Sequence, residues 1–562
     1  MAEFDAIIVG SGMSGGWVAK ELCERGLKTL VLERGPDISP GEDYSDMLDP
    51  WEKAHLDRVR QDEALAHYQR QKDVYVFYES TKQFWVRDSD QPYTTAPGTD
   101  FEWYRGNHVG GRSLTWARMS FRFGDLDFMA NLNDGVGVDW PIRYADLEPW
   151  YDKVEDFVGV SGEMPDLPTL PKGRYLPPFE MNCAEEKLKA TLERRFDDRT
   201  LIVAPVANLK QAQAQHNALG RGDCQARNLC YRGCSFGAYF SSNSATLPAA
   251  RATGNLTLKA DAIVDSLVYD DASQKVTGVR VVNRATRERT TYSADLVFLN
   301  ASAVATALIL LNSKSERYPN GLANDSDQVG RNLMDHVAGA QVSAKVDGLD
   351  DKTVFGRRPA PGYIPRYVNY PEQSESYKRG FAFQVYSERG GWSGNRPGVG
   401  KALKDANRTP GDWNIVLDAY AEVLPDPDNR VTISDAKTDK WGTPVPHFDC
   451  RMGANEIALL NAASDHAFEI LSTEGFSNVT RRPVEPTKPG NRIHEMGTAR
   501  MGRDPSSSVL NEWNQAWGIQ NLFITDGACM TSSAIVNPSI TYMALSARAA
   551  NYAADLKESG QL

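Results

Sequence analysis

The sequence predicts an α/β fold: a discontinuous nucleotide-binding domain with a second, α+β domain of antiparallel sheet inserted into it. Three observations carry that expectation. The first 35 residues read as a β-α-β unit with a glycine-rich turn. Residues 338–450 alternate polar and apolar over short segments, the pattern of antiparallel sheet with one wetted face. The last 70 residues then return to glycine-rich turns, a strand and a helix.

In order along the chain, Ala6-Ile-Ile-Val9 is a short buried strand and residues 10–16 a glycine-rich turn. Trp17 to Arg25 is a helix closed by Gly26, and Thr29 to Glu33 is the second strand. Residues 40–100 are polar and rich in Tyr and Trp, without β-α alternation. Pro165 to Pro178 reads as an extended surface connection. Strands return at Leu256–Lys259, Ile263–Tyr269 and Val276–Asn283. The uncharged stretch Leu296–Leu311 holds Asn300, Ser302 and Thr306 and is too short for a span of about 20 apolar residues. It reads as a strand turning into a helix. A strand at Asn521–Thr525 and a helix from Ser539 to Leu556 close the chain.

The composition bounds the function. At 562 residues the chain exceeds the roughly 250–300 that one core supports, so two domains are expected. Its 62 Lys and Arg against 74 Asp and Glu give a charge of −12, which argues against nucleic acid or an anionic membrane as partner. Met1 to Asp5 leads straight into the first strand, so no secretory signal is expected there. Seven cysteines are too few for a disulfide scaffold.

Gly10-Ser-Gly12-Met-Ser-Gly15 is G-x-G-x-x-G between a strand and a helix, with Glu33 ending the next strand. Gly10 permits the tight turn, Gly12 the approach of a pyrophosphate, and Gly15 close helix–strand packing. The helix N-terminus faces the phosphates, and Glu33 accepts from ribose hydroxyls. An acid there disfavours a 2′-phosphate, and so NADP. The motif alone does not separate FAD from NAD.

Three of the seven cysteines, Cys224, Cys230 and Cys234, lie within eleven residues, among Arg221, Asp223, Arg227 and Arg232. Three readings stay open on the residues alone: packed or paired thiols, a zinc site completed by His216, and an iron–sulfur cluster on thiolates.

Four further blocks resemble the glucose-methanol-choline (GMC) oxidoreductases, a family of FAD enzymes. They are Arg105-Gly-Asn-His-Val-Gly-Gly-Arg-Ser-Leu-Thr-Trp116, Val329-Gly-Arg-Asn-Leu-Met-Asp-His336, Asn429-Arg-Val with Asp439 and Gly442, and His494-Glu-Met-Gly-Thr-Ala-Arg-Met-Gly502 with Asp526-Gly and Asn537-Pro538. The resemblance implies FAD, held by Gly10, Gly12, Ser14, Gly15, Glu33 and Arg34 and by Gly106, Gly110, Gly111, Ser113, Thr115 and Trp116. It adds Ile263, then Asp526, Gly527, Asn537, Pro538 and Ser539. Thr115 stands where some relatives carry a flavin-linked His, so non-covalent FAD is implied. Asn300-Ala-Ser-Ala303 departs from the usual Ala-Gly-Ala turn.

The resemblance further makes His494 the base that takes the hydroxyl proton of an alcohol, and Asn537 its hydrogen-bonding partner. His108 and His336 read as structural or flavin-adjacent, and His447 as a group within reach of substrate. Cys224, Cys230 and Cys234 are spaced as in relatives that carry a 3Fe–4S cluster. A dehydrogenase is therefore implied, with a cytochrome c-type acceptor and a small subunit supplying a twin-arginine signal. Such an enzyme is periplasmic, and a cytoplasmic one fits the chain equally. The substrate implied is a sugar, oxidised at C3 of a glucoside or disaccharide, with C1 and C2 as alternatives; a non-catalytic electron-transfer subunit is the rival reading. Trp85, Trp103, Trp392 and Trp413 are packing residues first and sugar-stacking candidates second. The expected division assigns 1–45, 101–135, 190–340 and 490–562 to FAD, and 46–100, 136–189 and 341–489 to substrate.

Overall fold

The computed structural model describes residues 2–354, 356, 358–390, 398–408 and 410–562. The elements that position the site are, in chain order, β1 (Phe4–Val9), α1 (Met13–Glu24), β2 (Thr29–Leu32), β3 (Leu256–Lys259), β4 (Ala294–Leu299) and α2 (Ala303–Asn312). They continue with β5 (Gln341–Val346), β6 (Phe381–Arg389), β7 (Trp413–Glu422), α3 (Ala454–Leu471), β8 (Phe476–Arg481), β9 (Leu522–Ile524) and α4 (Ser539–Glu558).

Five strands form a parallel sheet in the order β9-β4-β1-β2-β3. Strand alternation divides its side chains between two cores. Ala6, Ile8, Val31, Phe298 and Phe523 pack with Val18, Leu22, Ala550 and Ala553 of α1 and α4. Ile7, Val9, Leu30, Val297 and Ile524 face the other way, into the cluster that holds Val304 and Leu310 of α2. With both faces covered, the strands read as unbroken apolar runs.

The helix α1 starts at Met13, four residues earlier than the sequence suggests. Ser14, Gly15 and Gly16 are its first turn, because the packing there needs small residues. A Cβ on Gly15 would lie 1.9 Å from the Gly10 carbonyl oxygen, and one on Gly16 would lie 2.5 Å from Thr246 Oγ1.

The antiparallel region is two sheets rather than one. The larger runs β8-β5-β7-β6 and continues through Gly362–Ile364 to Ile202–Val203. One face is covered by α3, whose Leu459, Ala463, Ala467 and Ile470 pack on Val342, Val385 and Leu417. His336–Val337 adds to β7, setting His336 opposite Glu422. The smaller sheet joins Arg430–Thr438 and Pro444–Asp449 to Thr94–Thr95, a parallel pairing across some 350 residues that no local pattern reveals. Among the described residues, no helix is long and apolar enough to cross a membrane.

Replacing Gly15 by Ala must push the chain off the Gly10 carbonyl. Overpacking of this kind is expected to cost at least about 2 kcal/mol, read as a lower midpoint in chemical denaturation.

Candidate functional site

The carboxyl ends of β1, β4 and β9 open on a cavity of about 220 Å³. Its floor is the turn after β1. Gly10 sits at φ +99°, donates its N–H to Leu32 O at 2.8 Å, and passes so close to Asn300 that a Cβ would lie 2.3 Å from that carbonyl oxygen. Gly12 differs: a Cβ there would meet nothing within 4 Å, because it points into the cavity. The N-terminus of α1 has no side-chain cap and no acid in its first turn, which leaves N–H groups free for an anion. Glu33 Oε2 accepts the Ser11 N–H at 3.1 Å and the Ser11 hydroxyl at 2.6 Å, and Oε1 accepts the Gly35 N–H at 3.0 Å. A carboxylate has about four acceptor positions, so one remains for a ribose hydroxyl. Burial raises the Glu33 pKa against those bonds. Asn300 lines the same space, and its Oδ1 is buried without a hydrogen-bond partner. A vacant glycine face, an uncapped helix and an orphan acceptor together fit a dinucleotide.

At the far end lies Asp526, which accepts the Thr306 hydroxyl at 2.6 Å and the Ala528 N–H at 2.9 Å; burial pushes its pKa up to about 6. The N-terminus of α4 begins after Pro538, again uncapped and without an acid in its first turn.

A second cavity, of about 590 Å³, shares Met13, Tyr104, Arg112, Ile493, His494 and Tyr542 with the first. His494 therefore stands in the wall between them. Its Nε2 is 3.5 Å from Asn537 Nδ2, and its Nδ1 is 2.7 Å from the Tyr420 hydroxyl and 3.1 Å from His336 Nδ1. Asp335 fixes this arrangement through the backbone. Its Oδ1 accepts the N–H groups of His336 at 2.8 Å and His494 at 3.0 Å, and its Oδ2 accepts that of Arg492 at 2.9 Å. Asp335 and the two histidines form the one group of three His, Cys, Asp or Glu donors within 4.8 Å of each other among the described residues. Both Asp335 oxygens are taken up by backbone N–H groups, and His494 Nδ1 faces Tyr420 and His336, so the group holds the His494 ring in place. Burial, with His336, Arg112 and Arg492 nearby, holds the His494 pKa well below its ordinary value, and burial takes His336 down to about 3. Both rings are neutral at pH 7. Beside them Glu495 pairs with Arg112 at 2.6 Å.

The cysteine loop borders this second cavity through Cys230. Two ion pairs fix it to the segment before it. Asp46, almost wholly buried, takes Arg227 at 2.5 Å, the Ser235 N–H at 3.1 Å and the Ser235 hydroxyl at 2.7 Å. Asp57 takes Arg232 at 2.6 Å. The three thiols are near enough to act on each other: burial raises the Cys224 pKa, with Cys230 and Cys234 adding to it, and burial raises Cys234, with Cys230 adding. They do not fall within 4.8 Å of each other. One tetrahedral zinc with Zn–S of about 2.3 Å would hold its sulfurs about 3.8 Å apart. His216 is no fourth ligand, because its Nδ1 accepts the Gln213 N–H at 3.1 Å and its Nε2 lies 3.2 Å from Asp156 O. The loop as folded is therefore not set for one tetrahedral zinc completed by His216.

Of the positions expected from sequence, Gly10, Gly12, Ser14, Glu33, Arg34, Gly106, Gly111, Ser113, Asp526 and Gly527 line the first cavity. Thr115, Trp116, Asn537 and Ser539 line the second. Gly15 and Gly110 serve packing, since a Cβ on Gly110 would lie 1.6 Å from Asn243 Oδ1. Pro538 is the N-cap residue of α4. Ile263 needs correcting: it packs with Val282 and Trp441, while Val264 and Asp265 line the cavity. The pairing of its strand shifts register between Val264 and Ser266, and such a bulge re-aims side chains that simple alternation would place. Despite departing from the family turn, Asn300, Ala301, Ser302 and Ala303 all line the first cavity, with Ser302 at φ +81°.

His108 is buried, with Nδ1 3.0 Å from Val109 O and its pKa pushed down to about 4 by burial. His447 binds Thr94 Oγ1 at 2.8 Å and lines neither cavity. Trp85 and Trp103 are packed in the cavity walls, Trp413 is in the core, and Trp392 lies outside the described residues. Sequence reasoning missed Tyr420 and Arg118, whose neighbourhoods carry no motif. It also missed Asp335, Arg112 and Glu495, which sat inside the quoted blocks.

Comparison with known proteins agrees with this geometry. Sequence profiles described as GMC oxidoreductase match residues 4–338 and 425–546. The chain is similar to 2-methyl-1,2-propanediol dehydrogenase of Mycolicibacterium austroafricanum, at 27% identity over 98% of this chain and 95% of that one. It is similar to the fructose dehydrogenase large subunit of Gluconobacter japonicus, at 28% over 97% of each. It also matches C-glycoside 3-oxidase of Microbacterium trichothecenolyticum, at 23% over 99% of this chain and 97% of that one. With the profiles covering most of its length and the dinucleotide cleft in place, the chain belongs to the GMC oxidoreductases, a family of FAD-dependent enzymes.

Proposed function

We propose that this enzyme oxidises a secondary alcohol of a sugar, at C3 of a glucoside or disaccharide, and releases the electrons singly through a 3Fe–4S cluster on Cys224, Cys230 and Cys234. One observation carries the reading: the cavity bounded by His494 and Asn537 is also bounded by Cys230. Catalytic pair and electron exit then share one wall system. The names of the fructose dehydrogenase subunit and the C-glycoside 3-oxidase support a sugar, and the latter supports C3.

When bound, FAD supplies the hydride acceptor and the cluster a one-electron path. The chain's own residues manage the proton and the geometry. Neutral His494 presents Nε2 toward Asn537 and the cavity, so its lone pair can take the hydroxyl proton of the substrate. Asn537 cannot accept a proton and holds the hydroxyl by hydrogen bonding. Tyr420 and His336 hold Nδ1 and fix the ring, and Nδ1 is where the imidazolium formed would place its other proton. The cavity volume lies within the usual range of about 300–1,000 Å³ for small-molecule sites. The two uncapped helix N-termini supply positive potential for the pyrophosphate and for charge developing on the ring system.

A one-electron exit calls for a protein acceptor of the cytochrome c type, and the relative named as a large subunit supports a partner chain. We place the complex in the periplasm, exported by a twin-arginine signal on that partner.

His494→Ala is expected to slow anaerobic flavin reduction by about 10²–10⁴-fold with FAD retained; an unchanged rate would remove His494 as base. Because His494 is neutral from well below pH 6.5 upward, kcat/KM should stay flat from pH 6.5 to 8 and fall only on stronger acidification. Product identification by NMR across glucosides, glucose and gluconate separates C3 from C1 and C2, and a chain that none of them reduces is not this dehydrogenase.

Gly12→Ala should leave the apo-protein's denaturation midpoint near wild type while weakening FAD at least tenfold in a fluorescence titration. Purified protein should contain iron and acid-labile sulfide, both lost in Cys230→Ser; zinc without sulfide would show the cluster assignment to be wrong.

A further inference from the structure

Two arginines beside the cysteine loop are anomalous. Arg118 is buried at 3% exposure yet lines the second cavity, and it holds φ +69°, a left-handed conformation that costs a non-glycine residue of order 1–3 kcal/mol. Its guanidinium lies over the rings of Tyr231 and Tyr239 at 4.8 and 5.3 Å, and Nη1 donates to Trp116 O at 2.5 Å. Its Nε has no hydrogen-bond partner. Arg221 is buried at 1% exposure. Its Nε donates to Gly237 O at 3.0 Å, the Gly237 N–H in turn bonds Cys234 O at 2.9 Å, and Nη2 has no partner.

Neither arginine forms an ion pair with a carboxylate among the described residues. The four other arginines that line the second cavity are paired: Arg112 with Glu495, Arg232 with Asp57, Arg358 with Glu185 and Arg492 with Asp418. A buried cation without a counter-ion is costly, so a chain keeps one where a negative group completes it. What lies beside them is the cysteine loop: Arg118 and Cys230 line the same cavity, with the Tyr231 ring under the guanidinium, and Arg221 holds Gly237 O while the Gly237 N–H bonds Cys234 O. Arg221 lines neither cavity, so substrate recognition does not account for it.

We propose that Arg118 and Arg221 are the counter-charges of an anionic cluster on Cys224, Cys230 and Cys234, and that they raise its midpoint potential. The inference rests on the iron–sulfur reading above. Each electron taken up adds one negative charge to the thiolate-bound core, with no bond made or broken. Two fixed cations favour the reduced form over the oxidised one, and the same charges make the electron's exit a matter of the acceptor's potential rather than of the site alone. They belong to positioning and tuning, not to the proton chemistry at His494.

The test is an EPR-monitored redox titration of the intact protein with dithionite as electron donor, alongside iron and sulfide analysis. Arg118→Met and Arg221→Met should keep the cluster and lower its reduction equilibrium constant at least tenfold each, about 59 mV for one electron. Arg118→Lys, which keeps the charge, should stay near wild type. Loss of the cluster in Arg118→Met with retention in Arg118→Lys also supports the charge role, whereas loss in both overturns it. Unchanged midpoints in both Met variants with iron retained overturn the proposal and leave the cluster standing. Wild-type protein without iron or sulfide overturns the cluster reading and this inference with it.

Discussion

The site depends on one buried carboxylate. Asp335 accepts three backbone N–H groups, from His336, Arg492 and His494, and so ties the root of the inserted sheet to the C-terminal loop. Without that bracket nothing local would keep His494 against Tyr420, which arrives on β7, or against Asn537, which arrives just before α4. Burial and the neighbouring Glu495 raise its pKa to about 7, so the fold carries the charge cost of the bracket at the centre of its chemistry. The bonds are to backbone rather than side chains, which leaves both histidine rings free to be set by each other and by Tyr420.

Segments whose structure is decided locally are legible in the sequence. The β-α-β unit is one, since its apolar runs and three glycines encode strand, turn and helix within 35 residues. Even there the start of α1 is misread, because Gly15 and Gly16 look like turn residues. They are small for a tertiary reason, the closeness of Gly10, Ser242 and Thr246. The meeting of His494 with Asn537 follows from the family blocks. Tyr420 does not, because its place beside them comes from sheet register, in which His336 pairs with Glu422. Ile263 illustrates a different limit: the resemblance points to the strand, while a register shift between Val264 and Ser266 decides which of its residues face the cavity. The parallel pairing of Thr94–Thr95 with His447–Phe448 is equally invisible before the fold is known.

Charge is distributed unevenly for a reason the overall −12 conceals. Around His494 the arginines are matched to acids, Arg112 to Glu495 and Arg492 to Asp418, and burial, with His336 and these arginines adding to it, keeps the imidazole neutral. Around the cysteine loop the balance reverses: Arg118 and Arg221 have no carboxylate partner among the described residues. The two regions share a cavity wall but have opposite electrostatic demands. A proton acceptor needs low positive potential on its ring, and the electron carrier proposed for the loop needs the opposite.

The ion pairs of Asp46 and Asp57 bear on how such a loop is matured. Arg227, Ser235 and Arg232 secure it to residues 44–57 by protein contacts alone, so its conformational entropy is spent when the chain folds. In a zinc finger, by contrast, metal binding and folding are one event. On the proposed cluster reading, these ties are made by side chains other than the three thiols, so a thiol substitution such as Cys230→Ser leaves the anchoring of the loop to residues 44–57 in place.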